Sequence, residues 1–260
     1  MSPLATALIV GILQGIVEWL PISSQGSLVL IMVLLLGLEA ADALVLSVYI
    51  HLGTGLAALM YFRGDIRRTL RPGFEPGRRL LRFLAVATLV TGLVGLPLFL
   101  SARVASIYGE AMLGLTGLAL ISTGVIERQA RRRGKRTAET LNLREGLLLG
   151  LVQGLSAVPG ISRSGVTTSA LLFRGFSGEE AFRISFLMSI PAVFAAALGL
   201  TVIEGFPPFR PSFLVALAAS FLSAFLSIDL LLRVARKVRF WSLCMALGVV
   251  ALLPLIPYLL

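Results

Sequence analysis

The sequence contains few charges and almost no cysteine or histidine. Of its 260 residues only 14% are charged, and it has one cysteine, Cys244, and one histidine, His51. A single cysteine excludes a disulfide within the chain and a metal cluster built from cysteines. The low charge accompanies a hydrophobic fraction of 57% and a mean hydropathy of +0.94. A soluble fold of this size could not bury so much apolar surface, so the composition predicts an integral membrane protein.

The positive charge is concentrated in a few segments. The net charge is +10, which by itself would also fit a nucleic-acid-binding protein. However, 20 of the 23 Lys and Arg residues fall within 63–82, 128–144, 174–183 and 233–239. Loops rich in Lys and Arg mark the cytoplasmic side of membrane proteins. The pattern therefore predicts these segments in the cytoplasm, both chain termini outside, and no nucleic-acid partner.

Long apolar stretches predict six crossings of a plasma membrane. A helix needs about 20 apolar residues to cross the hydrocarbon core. Six stretches have this length: 43–62, 83–101, 105–126, 182–203, 213–232 and 241–260. Four further apolar pieces are too short: 4–19, 27–38, 146–158 and 165–173. These pieces predict two re-entrant helical hairpins, so the expected fold is all-α, with a single membrane domain over residues 1–260.

One motif occurs twice along the chain. Residues 11–26 and 150–165 each contain an apolar half-length helix, a Pro, a turn with Ser and Gly, and the start of a second apolar run. Matching Gln, Gly, Ile-Ser and Gly residues recur at a constant offset of 139 positions. The loop charges place the two hairpins on opposite faces of the membrane. The halves 1–126 and 146–260 are therefore predicted to form an inverted repeat, which builds ligand sites from broken helices.

Two ionisable residues fall inside the predicted hairpins. Glu18 follows Gln14 by four residues, so both lie on one helical face, and Arg163 lies in the second turn. An ionisable side chain in the hydrocarbon layer costs about 2.5 to 3.5 kcal/mol on insertion scales. Both residues are therefore candidates for a functional site.

The two turns predict a pocket for phosphate or pyrophosphate. Half-helices that start near Ser24 and Ser164 direct unpaired N–H groups at the turns, which favours an anion. Arginine binds phosphate oxygens in a bidentate manner. Glu18 would repel a polyanion unless it is protonated, bridges a divalent cation or acts as a base. The hydroxyl residues expected around the pocket are Ser23, Ser24, Ser27, Ser162, Ser164 and Thr167.

These motifs resemble the bacitracin-resistance type undecaprenyl-diphosphate phosphatases. The signatures of that family are Glu/Gln-x-x-x-Glu leading into Pro-x-Ser-Ser-x-Gly, and Pro-Gly-x-Ser-Arg-Ser-Gly. Here they read Gln14 to Glu18, 21–26 and 159–165, and the resemblance covers essentially the whole chain. It implies an enzyme that removes the terminal phosphate of a polyprenyl diphosphate, which recycles the lipid carrier for cell-envelope synthesis.

The resemblance also implies roles for individual residues. Ser24 matches the proposed nucleophile, Glu18 the acid/base or metal-linked carboxylate, and Arg163 the diphosphate clamp. Ser162 and Thr167 match residues that help to bind phosphate. Further candidates for substrate contact are Gln14, Ser23, Ser27, His51 and Ser164. A divalent cation, Mg²⁺ or Ca²⁺, and a homodimer are implied as well, with Glu18 as the candidate metal ligand.

One position departs from the family pattern. The residue after the first-turn Gly is normally His in bacterial members, and it is Ser27 here. Without that imidazole, either Glu18 alone activates the Ser24 hydroxyl, or water attacks the phosphate while Ser24 positions it. His51 lies midway along the first predicted crossing. It either reaches the site and takes over proton transfer, or is a neutral imidazole bonded to a neighbouring helix.

Two other functions fit part of the pattern. A polyprenyl-phosphate translocase would also use inverted repeats with paired broken helices, and Ser27 would fit a site that binds phosphate without cleaving it. A purely structural bundle would leave Glu18 and Arg163 without a reason to lie in the membrane. We therefore expect a phosphatase, with the translocase as the alternative.

Overall fold

The described part of the chain is all-helical. The computed structural model describes residues 2–20, 22–106, 109–130, 134–205, 210–237 and 241–253. Within these ranges there is no strand, only an isolated bridge between Arg136 and Phe176. The α-helices are α1 (Pro3–Val17), α2 (Ser24–Leu30), α3 (Ala40–Tyr61), α4 (Arg63–Thr69), α5 (Glu75–Ser106), α6 (Gly109–Gln129), α7 (Leu143–Leu155), α8 (Arg163–Phe173), α9 (Gly178–Glu204), α10 (Pro211–Lys237) and α11 (Trp241–Leu252). A π-helical turn, Ile31–Leu35, continues α2.

Four of these helices are long and apolar enough to cross a membrane, namely α3, α5, α9 and α10. They correspond to four of the six predicted crossings. Helix α5 begins at Glu75, eight residues before the predicted start at 83, because the arginine-rich segment ahead of the apolar stretch is helical too. The other two predicted crossings correspond to α6 and α11, and residues 254–260 lie outside the described ranges. A membrane-embedded, all-helical class is confirmed, while the count of six crossings stays a prediction.

The short apolar segments form helices that are too short to cross. Helices α1 and α2 form the first pair and α7 and α8 the second, close to the predicted boundaries. The second helix of each pair starts at a serine N-cap. Ser23 Oγ accepts a hydrogen bond from the Gly26 amide at 3.2 Å, and Ser162 Oγ accepts one from the Gly165 amide at 3.0 Å. These caps satisfy backbone N–H groups that would otherwise lack a partner.

Glycines allow the first helix of each pair to pack closely on a long helix. Helix α1 packs against α10, and α7 packs against α5. A Cβ atom on Gly11 would lie 2.8 Å from Ala219 Cβ, and one on Gly150 would lie 2.8 Å from Val90 Cβ. Gly11 and Gly150 occupy equivalent positions in the two sequence repeats. Small residues permit this close backbone approach in membranes, so the same kind of contact holds each hairpin.

The largest buried cluster joins the first turn to the long helices. Trp19 is 1% exposed, its ring centroid lies 5.3 Å from that of Phe186 on α9, and its Nε1 donates to the Ala224 carbonyl on α10 at 3.1 Å. Phe83 on α5 and Phe176 belong to the same cluster. This packing fixes the end of α1, and with it Glu18, against α9 and α10.

We predict that Gly150→Ala destabilises the protein. The added Cβ would lie 2.7 Å from the Ala87 carbonyl oxygen, so α7 would have to move away from α5. We expect a loss of about 1 to 3 kcal/mol in the free energy of unfolding, measured as a lower Tm in detergent. Gly64→Ala is the matched control, because its Cβ would meet nothing within 4 Å and alanine favours helix. Equal Tm values for the two variants would contradict the close packing.

Candidate active site

The two turns meet at an ion pair between Glu18 and Arg163. The Glu18 side chain is 5% exposed and that of Arg163 is 16% exposed. The guanidinium carbon of Arg163 lies 5.4 Å from the centroid of the Phe186 ring, which supports it from α9. Gly26 and Gly160 are also close, since a Cβ on Gly26 would lie 2.7 Å from the Gly160 nitrogen. Residues far apart in sequence therefore share one buried site, as expected.

The first turn places the Ser24 hydroxyl in contact with the Glu18 carboxylate. Ser24 Oγ donates to Glu18 Oε2 at 2.7 Å and lies 3.2 Å from His51 Nε2. The residue before it, Ser23, has a left-handed backbone with φ of 57°, which is uncommon for a residue other than glycine. Such a conformation costs about 1 to 3 kcal/mol and persists where the surrounding structure enforces it, often at functional sites. The strained residue thus lies directly beside the hydroxyl that faces Glu18.

Helix α6, which is not part of either hairpin, forms hydrogen bonds with the second turn. Thr123 Oγ1 accepts a hydrogen bond from the Ser162 amide at 3.2 Å and donates to the Gly160 carbonyl at 3.2 Å. Gly160 has φ of 98°, which glycine adopts at little cost. Helix α8 then begins at Arg163 itself. Its N-terminus, with the positive end of the helix dipole, therefore lies at the ion pair.

A cavity of about 700 Å³ opens beside the ion pair. Most of its polar lining comes from the two hairpins and from α3. Its apolar lining comes mainly from α5 and α9, with residues such as Leu93 and Ala196. One cavity therefore combines a charged, hydroxyl-rich wall with extended apolar walls.

Seven of the ten predicted site residues line this cavity: Glu18, Ser23, Ser24, His51, Ser162, Arg163 and Ser164. The other three lie behind its wall. Gln14 is fully buried and donates from Nε2 to Glu18 Oε2 at 3.0 Å. Thr167 Oγ1 donates to the Arg163 carbonyl at 2.6 Å, and Ser27 Oγ donates to the Ile22 carbonyl at 3.4 Å. None of these three side chains lines the cavity in this structure.

Gln153 and Phe186 lie near the ion pair or the cavity and were not predicted as site residues from the sequence. Gln153 lines the cavity, donates to Thr91 Oγ1 at 3.0 Å, and has an Oε1 without a hydrogen-bond partner in the described structure. The repeat gave a usable signal, because Gln153 is the counterpart of Gln14. Phe186, whose ring lies beneath the Arg163 guanidinium, could not be identified from the sequence, because a phenylalanine is an ordinary apolar residue in an apolar helix.

Glu18 and Gln14 offer oxygen atoms of the kind that divalent cations prefer. Gln14 Oε1 is buried and has no hydrogen-bond partner in the described part of the chain. Within the described ranges, no group of three or more His, Cys, Asp or Glu residues is arranged so that it could hold a metal ion. Mg²⁺ is typically held by one or two carboxylates together with substrate phosphate oxygens and water. A single carboxylate with an adjacent amide oxygen matches that mode of binding.

The fold and the site define a helical membrane protein with a polar pocket where two broken-helix turns meet. The family model described as "Bacitracin resistance protein BacA" matches residues 7–251, and the chain belongs to this family. The resemblance carried by the two motifs is therefore confirmed.

Three similar proteins are named "Undecaprenyl-diphosphatase". The protein of Methanococcoides burtonii is 40% identical, over 97% of this chain and 98% of the relative. The protein of Haloarcula marismortui is 38% identical, over 95% and 96% of the two chains. The protein of Methanopyrus kandleri is 39% identical, over 95% and 94%.

We predict that Thr123→Val weakens the second turn. The valine would leave the Ser162 amide and the Gly160 carbonyl without this partner, and an unpaired buried group costs about 1 to 3 kcal/mol. We expect a lower Tm and weaker binding of inorganic pyrophosphate, followed as stabilisation of the protein against heat. The control is Ser122→Ala, which removes an exposed bond within α6 and should change neither value. Wild-type pyrophosphate binding by Thr123→Val would show that the turn does not depend on Thr123.

Proposed function

We propose that this protein is an integral-membrane phosphatase that hydrolyses an undecaprenyl-type polyprenyl diphosphate to the monophosphate and phosphate. The observation that carries the proposal is the Glu18–Arg163 pair beside Ser24, in a cavity with apolar walls. The family and the names of the relatives support the same activity. The comparisons give no support to a translocase.

The diphosphate binds at the polar wall of the cavity. Arg163 offers a guanidinium, which matches phosphate oxygens in geometry and charge. The first backbone amides of α8, where Ser164 also lines the cavity, add the positive end of a helix dipole. Arg163 is paired with Glu18 in this structure, so the incoming diphosphate competes with the carboxylate for the guanidinium.

The isoprenoid tail lies between α5 and α9. These two helices supply most of the apolar lining of the cavity, including Leu89, Leu93, Val193 and Ala196. Removing apolar surface from water is worth about 25 cal/mol for each Å², and the cavity walls, like lipid chains, keep the tail out of water. The substrate therefore keeps its tail in an apolar environment while only the head group enters the polar site.

The reaction is a phosphoryl transfer, in which catalysis is mainly positioning and electrostatic stabilisation. Ser24 Oγ attacks the terminal phosphorus, and its proton passes to Glu18, which accepts its hydrogen bond at 2.7 Å. The bond from that phosphorus to the bridging oxygen breaks, and the polyprenyl monophosphate leaves. Water later displaces the phosphate from Ser24 Oγ, and Ser24 recovers its proton from Glu18. Arg163 and the start of α8 stabilise the negative charge that develops on the transferred group and on the leaving oxygen.

A divalent cation, Mg²⁺ or Ca²⁺, forms part of this proposal. Glu18 would hold it, and the unpaired Oε1 of Gln14 would be the adjacent protein oxygen. Such an ion supplies charge neutralisation at phosphate oxygens when it is bound.

The proposed architecture is an inverted repeat of residues 1–126 and 146–260 with six crossings. The packing of α1 on α10 and of α7 on α5 supports it, because both contacts use glycines at equivalent positions, Gly11 and Gly150. Helices α6 and α11, the last of each half, also pack against each other. In this arrangement the Arg-rich loops are cytoplasmic and both termini lie outside. A homodimer in membrane lipid is the proposed assembly.

Loss of either member of the ion pair tests the function. We expect Glu18→Ala and Arg163→Ala to lower phosphate release from undecaprenyl diphosphate by at least 10²- to 10³-fold, the usual cost of removing a group that stabilises the transition state. Phosphate is measured with purified protein in detergent. Arg233→Ala is the matched control, because Arg233 forms an exposed pair with Asp229 at 2.8 Å and should be dispensable. Near-normal turnover by Glu18→Ala or Arg163→Ala would contradict the assignment.

Removal of divalent cations tests whether phosphate release requires a bound metal ion. We expect EDTA to abolish most phosphate release by the wild-type protein, because Glu18 and the diphosphate both carry negative charge that the cation offsets. Adding excess Mg²⁺ or Ca²⁺ should restore the rate. Zinc and other softer ions should restore less, since the available ligands are oxygens. A full rate in the chelated protein would argue against a cation requirement.

A further inference from the structure

An ion pair joins the C-terminal ends of the two helices that supply the apolar walls of the cavity. Arg103 of α5 pairs with Glu204 of α9. The apolar spans of these helices are Glu75–Val104 and Gly178–Glu204, so both members of the pair lie at the end of a span. The ends of a span lie where the head groups of a bilayer begin. Arg103 is therefore a positive charge at the level of lipid head groups.

The pair lies directly beyond the cavity along both helices. The cavity lining ends at Phe99 on α5 and at Leu200 on α9. Arg103 and Glu204 each follow the last lining residue of their helix by four positions. Because an α-helix has about 3.6 residues per turn, the pair is about one turn past the cavity.

Arg163 lies at the opposite end of the same lining. Its Nη1 donates to the Ser185 carbonyl oxygen at 3.5 Å, and Ser185 precedes Ser189, where the α9 lining begins, by four positions. Ser189 and Leu200 are about 17 Å apart along α9. One guanidinium therefore lies at the site and another lies at the membrane boundary, with the cavity between them.

The cavity is open on one side, between α5 and α9. Leu93 and Leu96 of α5 and Ala196 of α9 line it and are also exposed. At the end of the cavity, Phe99 and Leu200 belong to an apolar cluster, which a charged head group would not enter. A lipid can therefore enter from the open side, with its tail among apolar side chains and lipid chains.

The charge pattern of the sequence does not account for Arg103. Of the 23 Lys and Arg residues, 20 lie in the four segments predicted to face the cytoplasm, and the other three are Arg103, Arg163 and Arg210. Arg163 belongs to the site. Arg103 is thus a second arginine next to the cavity that membrane topology does not explain.

We propose that Arg103 is a docking site for the diphosphate head group of the incoming polyprenyl lipid, which rests on the proposed phosphatase function. A charged head group does not enter a hydrocarbon layer at low cost without a partner. Arg103 binds the head group at the boundary, beside the open side of the cavity. The head group then moves along this side to Arg163, while the tail stays in an apolar environment.

Glu204 makes this binding reversible. The Arg103 side chain is 38% exposed, compared with 16% for Arg163, so its guanidinium is accessible to a lipid. Exposed ion pairs contribute little to stability, so Arg103 can exchange one anionic partner for another. A diphosphate carries more negative charge than a carboxylate and therefore competes with Glu204 for the guanidinium.

The test measures KM and kcat for phosphate release from undecaprenyl diphosphate in nonionic detergent without phospholipid. We expect Arg103→Gln to raise KM about fivefold, the usual effect of one basic residue on binding to an anionic lipid surface, and to leave kcat unchanged. Arg103→Lys keeps the charge and should retain a KM close to that of the wild type. Glu204→Gln should lower KM, because it frees the guanidinium for the head group.

Arg210→Gln is the matched control, since it removes the same charge from an exposed position at the start of α10, outside the cavity lining. Its KM should equal that of the wild type. The Tm of each variant is also measured, and Glu204→Gln shows the effect of breaking the ion pair without removing Arg103.

Four results would overturn the docking role. The first is an unchanged KM in Arg103→Gln, and the second is a KM that rises in both Arg103→Gln and Glu204→Gln, as for a pair that only joins two helices. The third is an equal rise in Arg210→Gln, which would reflect net charge. The fourth is a rise that occurs in nanodiscs of anionic phospholipid but not in detergent, which would assign Arg103 to membrane phospholipids.

In all four cases the wild type still releases phosphate, so the phosphatase function stands. Failure of the wild type to release phosphate from undecaprenyl diphosphate would overturn that function and the docking role together.

Discussion

The buried ion pair between Glu18 and Arg163 is the constraint on which the site depends. Each charge comes from a different hairpin, and neither could remain ionised in an apolar layer at low cost without the other. The pair therefore requires the two turns to meet. The packing of Trp19 on Phe186, and the hydrogen bonds of Thr123 to the second turn, keep the turns in that position. The arrangement that supports the fold is also the arrangement that presents a guanidinium and a hydroxyl to one cavity.

The polar and apolar parts of the cavity have different structural origins. Short, capped helices provide the groups that carry charge or hydrogen bonds, because helix ends leave backbone amides free to bind. Uninterrupted long helices provide the apolar walls, because their backbone groups are already paired. A lipid with a charged head and an apolar tail matches this division. The substrate class thus follows from where the helices are broken and where they are continuous.

Much of the helical fold and of the candidate site could be predicted from the sequence. The features that could not be predicted have physical reasons. The motifs around Glu18 and Arg163 predicted two turns in contact, because ionisable residues in apolar helices need partners. Helix α5 starts eight residues before the predicted crossing at 83, since helix formation continues through charged residues that hydropathy excludes. The sequence did not show whether His51 contacts the two turns or bonds to a neighbouring helix. A single residue on an apolar helix does not reveal which neighbour it faces. Ser27 and Thr167 were predicted to contact substrate, but in this structure their hydroxyls bond to the backbone carbonyls of Ile22 and Arg163 and do not line the cavity.

The constant offset of 139 positions between the two sequence repeats pairs each residue of the first turn with a counterpart in the second. Ser24 and Arg163 are counterparts, 139 positions apart, and the counterpart of Glu18 is Ala157, which also lines the cavity. Two copies of the first half would carry two hydroxyls and two acids, and two copies of the second half would carry two guanidiniums and no acid. The differences at these two pairs give the cavity a hydroxyl and an acid from one segment and a guanidinium from the other. The two segments therefore contribute unlike chemical groups to the same cavity.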